Sequence, residues 1–519
     1  MKKTVMVGLD AGNWNSLMPF IKAGELPFFK KIIEKGVHGI NKTSVPCLTL
    51  PAIPSFATGK SPSKHGIFGF TKQDGSLTDY NDFRKHNIFW DIIGKEGYRS
   101  FIAYLRGAYP PKIENGVIVS DGLSTPTQKF DFVYPMKYQD FFKKFVNFDH
   151  EEGEVFLEWL DDLFYGKINS LNEFMKKEEF DFYLFYFGET DNIQHFYYDN
   201  KKELLKFYKK LDKELEKLLS KFKDSNIIFF SDHGHDKFPE KTFYLNSWLH
   251  SKGYLKLRFN LIGNYLFRNN FFKKKILKSR IIKKIYHGLT INKNKSDQNN
   301  TLDKDIVLQN KSKNHSYYDL DNSKAFLSQV WGVSLNKENV NDYDEFRNKL
   351  IKDMLDLLDK DGEKIFREVH KKEEVYGEGK YLSQIPDIIF LLNPNYFVDF
   401  GISKNLTEPF YNKSDRRGDH LYSRDGMFIA YGPDIKKGEE INTEIYDFAP
   451  TILHMYDIPI PDDMNGRVIK NIFNEDSGLA KKKVKYQKSK NEIVFSEKKK
   501  ISSKDEVQIK EKLKKLGYL

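Results

Sequence analysis

Short apolar runs that end at acidic or histidine residues are the feature of this sequence that most constrains its fold. Three such runs are Thr4–Leu9, Asp181–Phe187 and Asn226–Ser231, and an amphipathic helix is predicted between the last two, over Lys201–Phe222. Apolar runs of this length that alternate with helical patterns predict a parallel β-sheet flanked by helices. Because such sheets bind ligands at the carboxyl ends of their strands, the residues that follow these runs are candidates for a functional site.

Acidic and histidine residues stand at these positions. Asp10 follows the first run, and Asp232 and His233 follow the third. The simpler alternative for each is a residue that stabilises a turn. After the second run come Asp191 and His195, whose four-residue spacing puts both side chains on one face of a helix. A carboxylate and an imidazole on one face either bind a divalent ion such as zinc or form an ordinary ion pair on a solvated surface.

The stretch from Thr43 to Gly66 holds a hydroxyl group in a position suited to phosphorus chemistry. Thr49 lies just before Pro51, and the residues after it predict a helix. A side chain at the start of a helix faces unpaired backbone N–H groups and the positive end of the helix dipole, which favour bound oxyanions. Thr49 is therefore either a nucleophile at such a site or a residue that only caps the helix.

A second, smaller sheet is predicted from Ser323 onward, with a helix near Asp342–Asp359 and a buried strand at Ile385–Asn393. His420 follows this region, shortly before another apolar run that starts at Gly426. An isolated histidine is usually structural, but this one could also complete a metal site from far along the sequence.

The positive charge of the chain is concentrated in two segments. The net charge is +11, yet residues 256–284 carry ten Lys and Arg residues and no acid, and residues 480–519 carry fourteen Lys residues against five acids. The remainder is mildly acidic, which argues against nucleic-acid binding by the folded body. The first segment belongs to an insertion over residues 256–315. We expect this insertion to be a solvated basic appendage, an amphipathic contact with an anionic membrane surface, or a lid over an anionic substrate.

The compartment is indicated by cysteine content and hydropathy. Cys47 is the one cysteine in 519 residues, so the chain has no internal disulfide framework and suits a reducing compartment. No stretch approaches the roughly 20 apolar residues of a membrane span, and the first residues enter a strand pattern directly. We therefore expect a cytoplasmic protein, with any membrane contact made at the surface through the basic insertion.

Together these residues resemble the alkaline phosphatase superfamily, and within it the type I phosphodiesterase / nucleotide pyrophosphatase family. The segments that carry the resemblance are VGLDA, TLPAIPSFATGKSPSKHGI, GETDNIQH, SDHGH, GDH, GMFIAYGPDIKKG and DFAPTILHMYDIPIPDDMNGR. Their order is highly specific, although no one segment is. The resemblance implies an α/β domain over residues 1–479 with a mostly parallel central sheet. A lysine-rich tail over residues 480–519 would follow and end in a short helix.

The resemblance also implies a role for each candidate residue. The ligands of one divalent metal ion would be Asp10, Asp232, His233 and the oxygen of Thr49. The ligands of the other would be Asp191, His195 and His420. Both ions would be zinc or manganese, and Thr49 would attack the phosphorus of a phosphate ester to give a phospho-threonine intermediate.

One position departs from the pattern of this family. Phe70 stands where nucleotide pyrophosphatases typically carry an Asn that helps to hold a phosphoryl oxygen. The departure places ordinary nucleotide substrates in doubt and requires a different donor. A phosphodiesterase is the first interpretation. A phosphomonoesterase or phosphomutase of the same superfamily and a non-catalytic binding or membrane-surface module are the alternatives.

Overall fold

The structure is a computed structural model that describes residues 2–72, 76–122, 125–126, 131–142, 154–258, 318–410, 416–489 and 501–515. The basic insertion predicted over residues 256–315 and the middle of the lysine-rich tail therefore lie almost entirely outside the described residues. Among the helices in the described part of the chain, none combines the length and the apolar composition needed to cross a bilayer.

A ten-stranded sheet forms the centre of the protein. In chain order its strands are β1 (Thr4–Leu9), β2 (Val37–Lys42), β3 (Ser100–Leu105), β4 (Gly116–Ser120), β5 (Val133–Tyr134), β6 (Phe182–Phe187), β7 (Asn226–Phe230), β8 (Asp425–Tyr431), β9 (Glu439–Glu440) and β10 (Thr443–Glu444). Their spatial order is β9-β2-β8-β7-β1-β6-β3-β4-β5, and β10 also pairs with β2. The neighbours from β7 to β4 are parallel, whereas β5 and β8 run antiparallel to the strands beside them. The predicted mostly parallel α/β sheet is confirmed.

Hydrophobic clusters lie against both faces of this sheet. In β1, Val5 and Val7 belong to one cluster and Met6 to the other, as expected because successive side chains of a strand point to opposite faces. The α-helices of the described chain are Trp14–Lys22, Pro27–Lys35, Thr49–Thr58, Pro62–His65, Tyr80–Arg84, Phe89–Lys95, Glu154–Phe174, Glu189–Tyr197, Lys201–Leu219, Leu245–Ser251, Tyr343–Leu355, Lys372–Tyr376, Phe448–Met455, Gly478–Lys481 and Ser503–Lys515.

The predicted second sheet is present and antiparallel. Its strands, in spatial order, are Ala325–Gln329, Gly332–Leu335, Ile388–Leu392 and Phe366–Lys371. Three further strands form a small separate sheet: Tyr396–Val398, Lys241–Phe243 and Thr407–Pro409. The hydrophobic core of the second sheet includes Cys47, two residues before Thr49. The second sheet is therefore packed against the segment that leads to the predicted nucleophile.

The last described helix, Ser503–Lys515, packs against the main domain. Its Ile509 and Leu513 belong to the same buried cluster as residues of the helix Phe448–Met455. Leu513 is 2% exposed, whereas Val507 of the same helix is 54% exposed. The end of the lysine-rich tail therefore contributes to the core that covers one face of the central sheet.

This packing predicts that Leu513→Ala lowers the free energy of unfolding by about 2–5 kcal/mol, because a buried leucine is replaced by a cavity. Val507→Ala is the matched control and is expected to change it by less than about 0.5 kcal/mol. Urea unfolding of the full chain, followed by circular dichroism, measures both. Equal effects of the two substitutions would show that the helix does not dock on the core.

Candidate active site

The carboxyl ends of adjacent strands bring the first predicted cluster together. β1 lies between β6 and β7, and the three strands are parallel. Asp10 directly follows β1, and Asp232 and His233 follow β7. His233 Nε2 lies 3.3 Å from Asp232 Oδ2 and 3.6 Å from Asp10 Oδ1. The three side chains are buried, and one potential ligand atom of each lies within 4.8 Å of the others.

Thr49 lies beside this cluster at the start of a buried helix. It is the first residue of the helix Thr49–Thr58, and the capping position belongs to Leu48, which makes no side-chain capping bond. The structure therefore does not show Thr49 as the residue that caps the helix. Its Oγ1 lies 3.2 Å from His233 Nε2 instead. The hydroxyl is thus directed at the Asp10–Asp232–His233 cluster, while its backbone stands at the positive end of the helix dipole.

A second cluster lies at the end of β6. Asp191 and His195 occupy the helix Glu189–Tyr197, and Asp191 Oδ1 is 3.2 Å from His195 Nε2, as their spacing predicts. His235 joins them, with one potential ligand atom of each residue within 4.8 Å of the others. His235 is not among the seven residues predicted from the sequence, although it stands two residues after His233.

His420 lies next to both clusters. Its ring stacks on that of His233, with centroids 4.0 Å apart, and lies 5.1 Å from the ring of His195. Its Nδ1 is 3.0 Å from the carbonyl oxygen of Cys47. The structure therefore brings all seven sequence-predicted residues to one place, with Thr49 and His420 close to His233.

The imidazoles share one orientation that suits a metal ion. In each, Nδ1 lies 3.0–3.1 Å from a backbone carbonyl oxygen. In His233 and His420 this contact favours a proton on Nδ1 and a lone pair on Nε2, whereas in His195 the guanidinium of Arg416 also contacts both ring nitrogens. The pairs are His195 with Gly418, His233 with Gly234, and His420 with Cys47. Burial lowers the pKa of His195, and it lowers the pKa of His420 well below the ordinary value, so the neutral form that binds metals is favoured.

The two carboxylates of the first cluster need additional positive charge. Asp232 Oδ2 is buried and accepts no hydrogen bond from any residue that the structure describes. Burial raises the pKa of Asp10 well above its ordinary value, and the charges of Asp232 and Asp191 act in the same direction. A buried carboxylate without sufficient partners is costly, and a divalent cation would remove that cost. Carboxylate and imidazole are the ligands that zinc and similar ions prefer, so both clusters fit such ions.

Arg106 connects the two clusters and was missed in the sequence. It directly follows β3, and its Nη1 lies 2.7 Å from Asp10 Oδ2 and 3.2 Å from Asp191 Oδ2. Its Nη2 donates to the carbonyl oxygen of Gly188 and to Asn192 Oδ1. One buried guanidinium therefore holds one carboxylate from each cluster. The sequence pattern that could have identified Arg106 is a charged residue directly after an apolar strand, which is the pattern that identified Asp10.

A second arginine lies at the edge of the site. Arg416 Nη2 is 2.9 Å from His195 Nε2, and the guanidinium helps burial to lower the pKa of that histidine. Phe70, which stands where the family typically carries an Asn, is buried in the hydrophobic core. The structure thus adds two arginines and one histidine to the seven residues that the sequence predicts.

The position of Arg106 predicts a loss of stability in the metal-free protein. Arg106→Gln is expected to lower the free energy of unfolding by about 3–5 kcal/mol, because it leaves buried carboxylates without their positive partner. The matched control is Arg99→Gln, which removes a partly exposed ion pair with Glu178 and should cost no more than about 1 kcal/mol. Urea unfolding in the presence of a chelator compares them. A loss for Arg106→Gln as small as that for the control would contradict the assigned pairing.

Several solved structures resemble this fold. The murine ectonucleotide pyrophosphatase / phosphodiesterase 5 aligns at 14% identity with a TM-score of 0.48, covering 91% of this chain and 100% of that chain. An inactive variant of the murine protein in complex with AMP aligns at 13% identity with a TM-score of 0.49, and the human protein at 17% with a TM-score of 0.47; both comparisons have the same coverage. A sequence comparison with curated proteins finds no match.

A comparison with family models assigns the chain to a protein family. The model of the family described as "Type I phosphodiesterase / nucleotide pyrophosphatase" matches residues 4–423. This range contains Thr49, both clusters and His420, together with the second sheet. The match agrees with the resemblance carried by the sequence motifs. The chain therefore belongs to the type I phosphodiesterase / nucleotide pyrophosphatase family of metal-dependent hydrolases.

Proposed function

We propose that this protein is a phosphoric diester hydrolase that uses Thr49 as its nucleophile and two divalent metal ions as cofactors. The observation that carries the proposal is the arrangement of two buried carboxylate–histidine clusters at one edge of the sheet, with Thr49 Oγ1 3.2 Å from a histidine of the first. Membership of the phosphodiesterase family supports hydrolysis of phosphate esters, and the clusters support the dependence on metal.

The two clusters divide the ligands between the ions. Asp10, Asp232 and His233 would hold one ion together with the oxygen of Thr49. Asp191 and His195 of the second cluster would hold the other together with His420, which lies beside that cluster and is not part of it. Zinc suits both sets, and manganese suits the carboxylate-rich first set. Two bound ions would act as Lewis acids that stabilise negative charge on the attacking and leaving oxygens.

The reaction would proceed in two displacements at phosphorus. Thr49 Oγ1 would form a bond to phosphorus while the bond to one ester oxygen breaks, and the hydroxyl proton would reach the departing alcohol through solvent. Water would then cleave the bond between phosphorus and Oγ1, which restores the hydroxyl and releases a phosphate monoester. The positive end of the helix that begins at Thr49 favours the phosphoryl oxygens in both steps.

The role of Thr49 predicts that Thr49→Ala lowers kcat on a diester by roughly 10³-fold or more, because the nucleophile is lost. Metal content should remain near that of the wild type, since Asp10, Asp232 and His233 are unchanged. Thr58→Ala is the matched control: Thr58 is a buried threonine in the same helix whose hydroxyl donates to the carbonyl oxygen of Pro54. Steady-state kinetics and elemental analysis measure both variants. A rate for Thr49→Ala equal to that of Thr58→Ala would remove Thr49 as nucleophile.

The reaction class predicts faster hydrolysis of bis-p-nitrophenyl phosphate than of p-nitrophenyl phosphate. Prior removal of metal with a chelator should abolish both activities, and added zinc or manganese should restore them, because the clusters would supply the charge stabilisation only when loaded. Faster hydrolysis of the monoester would instead identify a phosphomonoesterase of the same superfamily. Inactivity of the metal-loaded protein on both esters would favour a binding module.

A further inference from the structure

His235 is a buried imidazole to which the proposed function gives no role. It is 1% exposed, and its Nε2 lies 3.8 Å from Asp191 Oδ1 and 3.4 Å from His195 Nδ1. The ring is 4.9 Å from that of His195, in an edge-on arrangement. His235 is therefore in contact with two expected ligands of the second metal ion.

A short β-ladder lies directly beside His235 and a third expected ligand, His420. The strand Asp236–Lys237 pairs antiparallel with Gly418–Asp419, with Asp236 opposite Asp419. If this register is continued by one position beyond the paired residues, His235 would stand opposite His420, and side chains at opposite positions of an antiparallel pair lie on the same face. Their ring centroids are 5.9 Å apart. The two imidazoles therefore lie side by side, and Nε2 of His235 is 3.8 Å from Asp191 Oδ1.

The ring of His235 has the same orientation as the rings of the expected ligands. Its Nδ1 lies 3.1 Å from the carbonyl oxygen of Asp236, which leaves the lone pair on Nε2, the atom nearest Asp191. The ring also stacks on Tyr198, with centroids 5.5 Å apart and planes inclined by 22°. A backbone carbonyl and an aromatic ring therefore hold this imidazole in position before any ion binds.

The neighbouring backbone leaves room for this ring only because residue 418 is a glycine. A Cβ atom on Gly418 would lie 2.3 Å from His235 Cε1 and 2.6 Å from the carbonyl oxygen of Gln194. Space and orientation both agree with a ligand.

We propose that His235 is a further protein ligand of the metal ion held by Asp191, His195 and His420. The inference rests on the proposed two-metal function and adds a residue to its second site. That site would offer one carboxylate and three imidazoles, whereas the first offers two carboxylates and one imidazole. Because imidazole suits zinc and other late transition metals better than it suits magnesium or manganese, the second site is the more selective for zinc.

The test is the binding of Co²⁺ to the full-length protein after removal of metal with a chelator. In His235→Gln, one of the two binding events is expected to weaken by at least about 10-fold, the size of effect seen even for residues that only support a ligand. The visible absorption of the cobalt bound in that event should also change, because an imidazole leaves its coordination shell. The other binding event should keep its affinity.

The matched control is His454→Gln, which removes a buried imidazole whose Nε2 contacts the carbonyl oxygen of Leu479, outside both clusters. It should leave both affinities and the spectrum as in the wild type. Two wild-type affinities and an unchanged spectrum in His235→Gln would overturn the assignment of His235 while leaving the two-metal function standing. Failure of the wild type to bind metal at all would overturn both proposals.

A second measurement uses the wild-type chain and so does not depend on the folding of a variant. In protein labelled with ¹⁵N-histidine and loaded with ¹¹³Cd, one-bond couplings count the imidazoles bound to each ion. One cadmium coupled to three imidazoles and the other coupled to one would support the assignment. If neither cadmium ion were coupled to more than two imidazoles, the assignment of His235 as a ligand would be overturned.

Discussion

The burial of several carboxylates at one edge of the central sheet is the constraint on which this site depends. Asp10, Asp191 and Asp232 are fully buried, and each loses its solvation while lying near other negative charges. Arg106 balances part of this charge by holding Asp10 and Asp191. Asp232 Oδ2 has no hydrogen-bond donor within the described chain. The arrangement is thus suited to the binding of cations, which accounts for the metal dependence of the family to which the chain belongs.

The elements around these carboxylates hold the histidines in the form that binds metal. Backbone carbonyl oxygens lie 3.0–3.1 Å from Nδ1 of each imidazole, and in His233, His235 and His420 this contact favours a lone pair on Nε2. The carbonyl that serves His420 belongs to Cys47, whose side chain lies in the core of the second sheet. Packing of the second sheet and the position of a candidate ligand are therefore coupled. Changes in that core are expected to reach the site through the segment between Cys47 and Thr49.

Much of the site was predictable from local patterns. Asp10 and Asp232 follow apolar runs, and the end of a parallel strand is where such sheets bind ligands. Asp191 and His195 were paired by their helical spacing. The same strand rule applies to Arg106, because it follows the apolar run of β3. The sequence alone allows two interpretations of Thr49, and only its position after the capping residue Leu48 and its contact with His233 distinguish them.

Other features depend on contacts between distant parts of the chain. A two-residue ladder joins segments far apart in sequence, and the residues next to it include His420, whose ring lies near those of His233 and His235. Register of this kind depends on how strands pair, and a shift by one residue would turn the side chains of the paired residues to the other face. The docking of the final helix on the main core is likewise a tertiary contact that its lysine-rich sequence did not predict.

The sequence by itself determined the fold class, the family motifs and the residue types available for metal and phosphate chemistry. These properties are local, since strand periodicity, helical spacing and strand-end residues lie within a few positions of one another. The tertiary structure decided which carboxylates share Arg106, which imidazoles face Asp191 and what Thr49 contacts. Those choices follow from strand order and ladder register, which bring together residues whose separation along the chain gives no indication of their proximity.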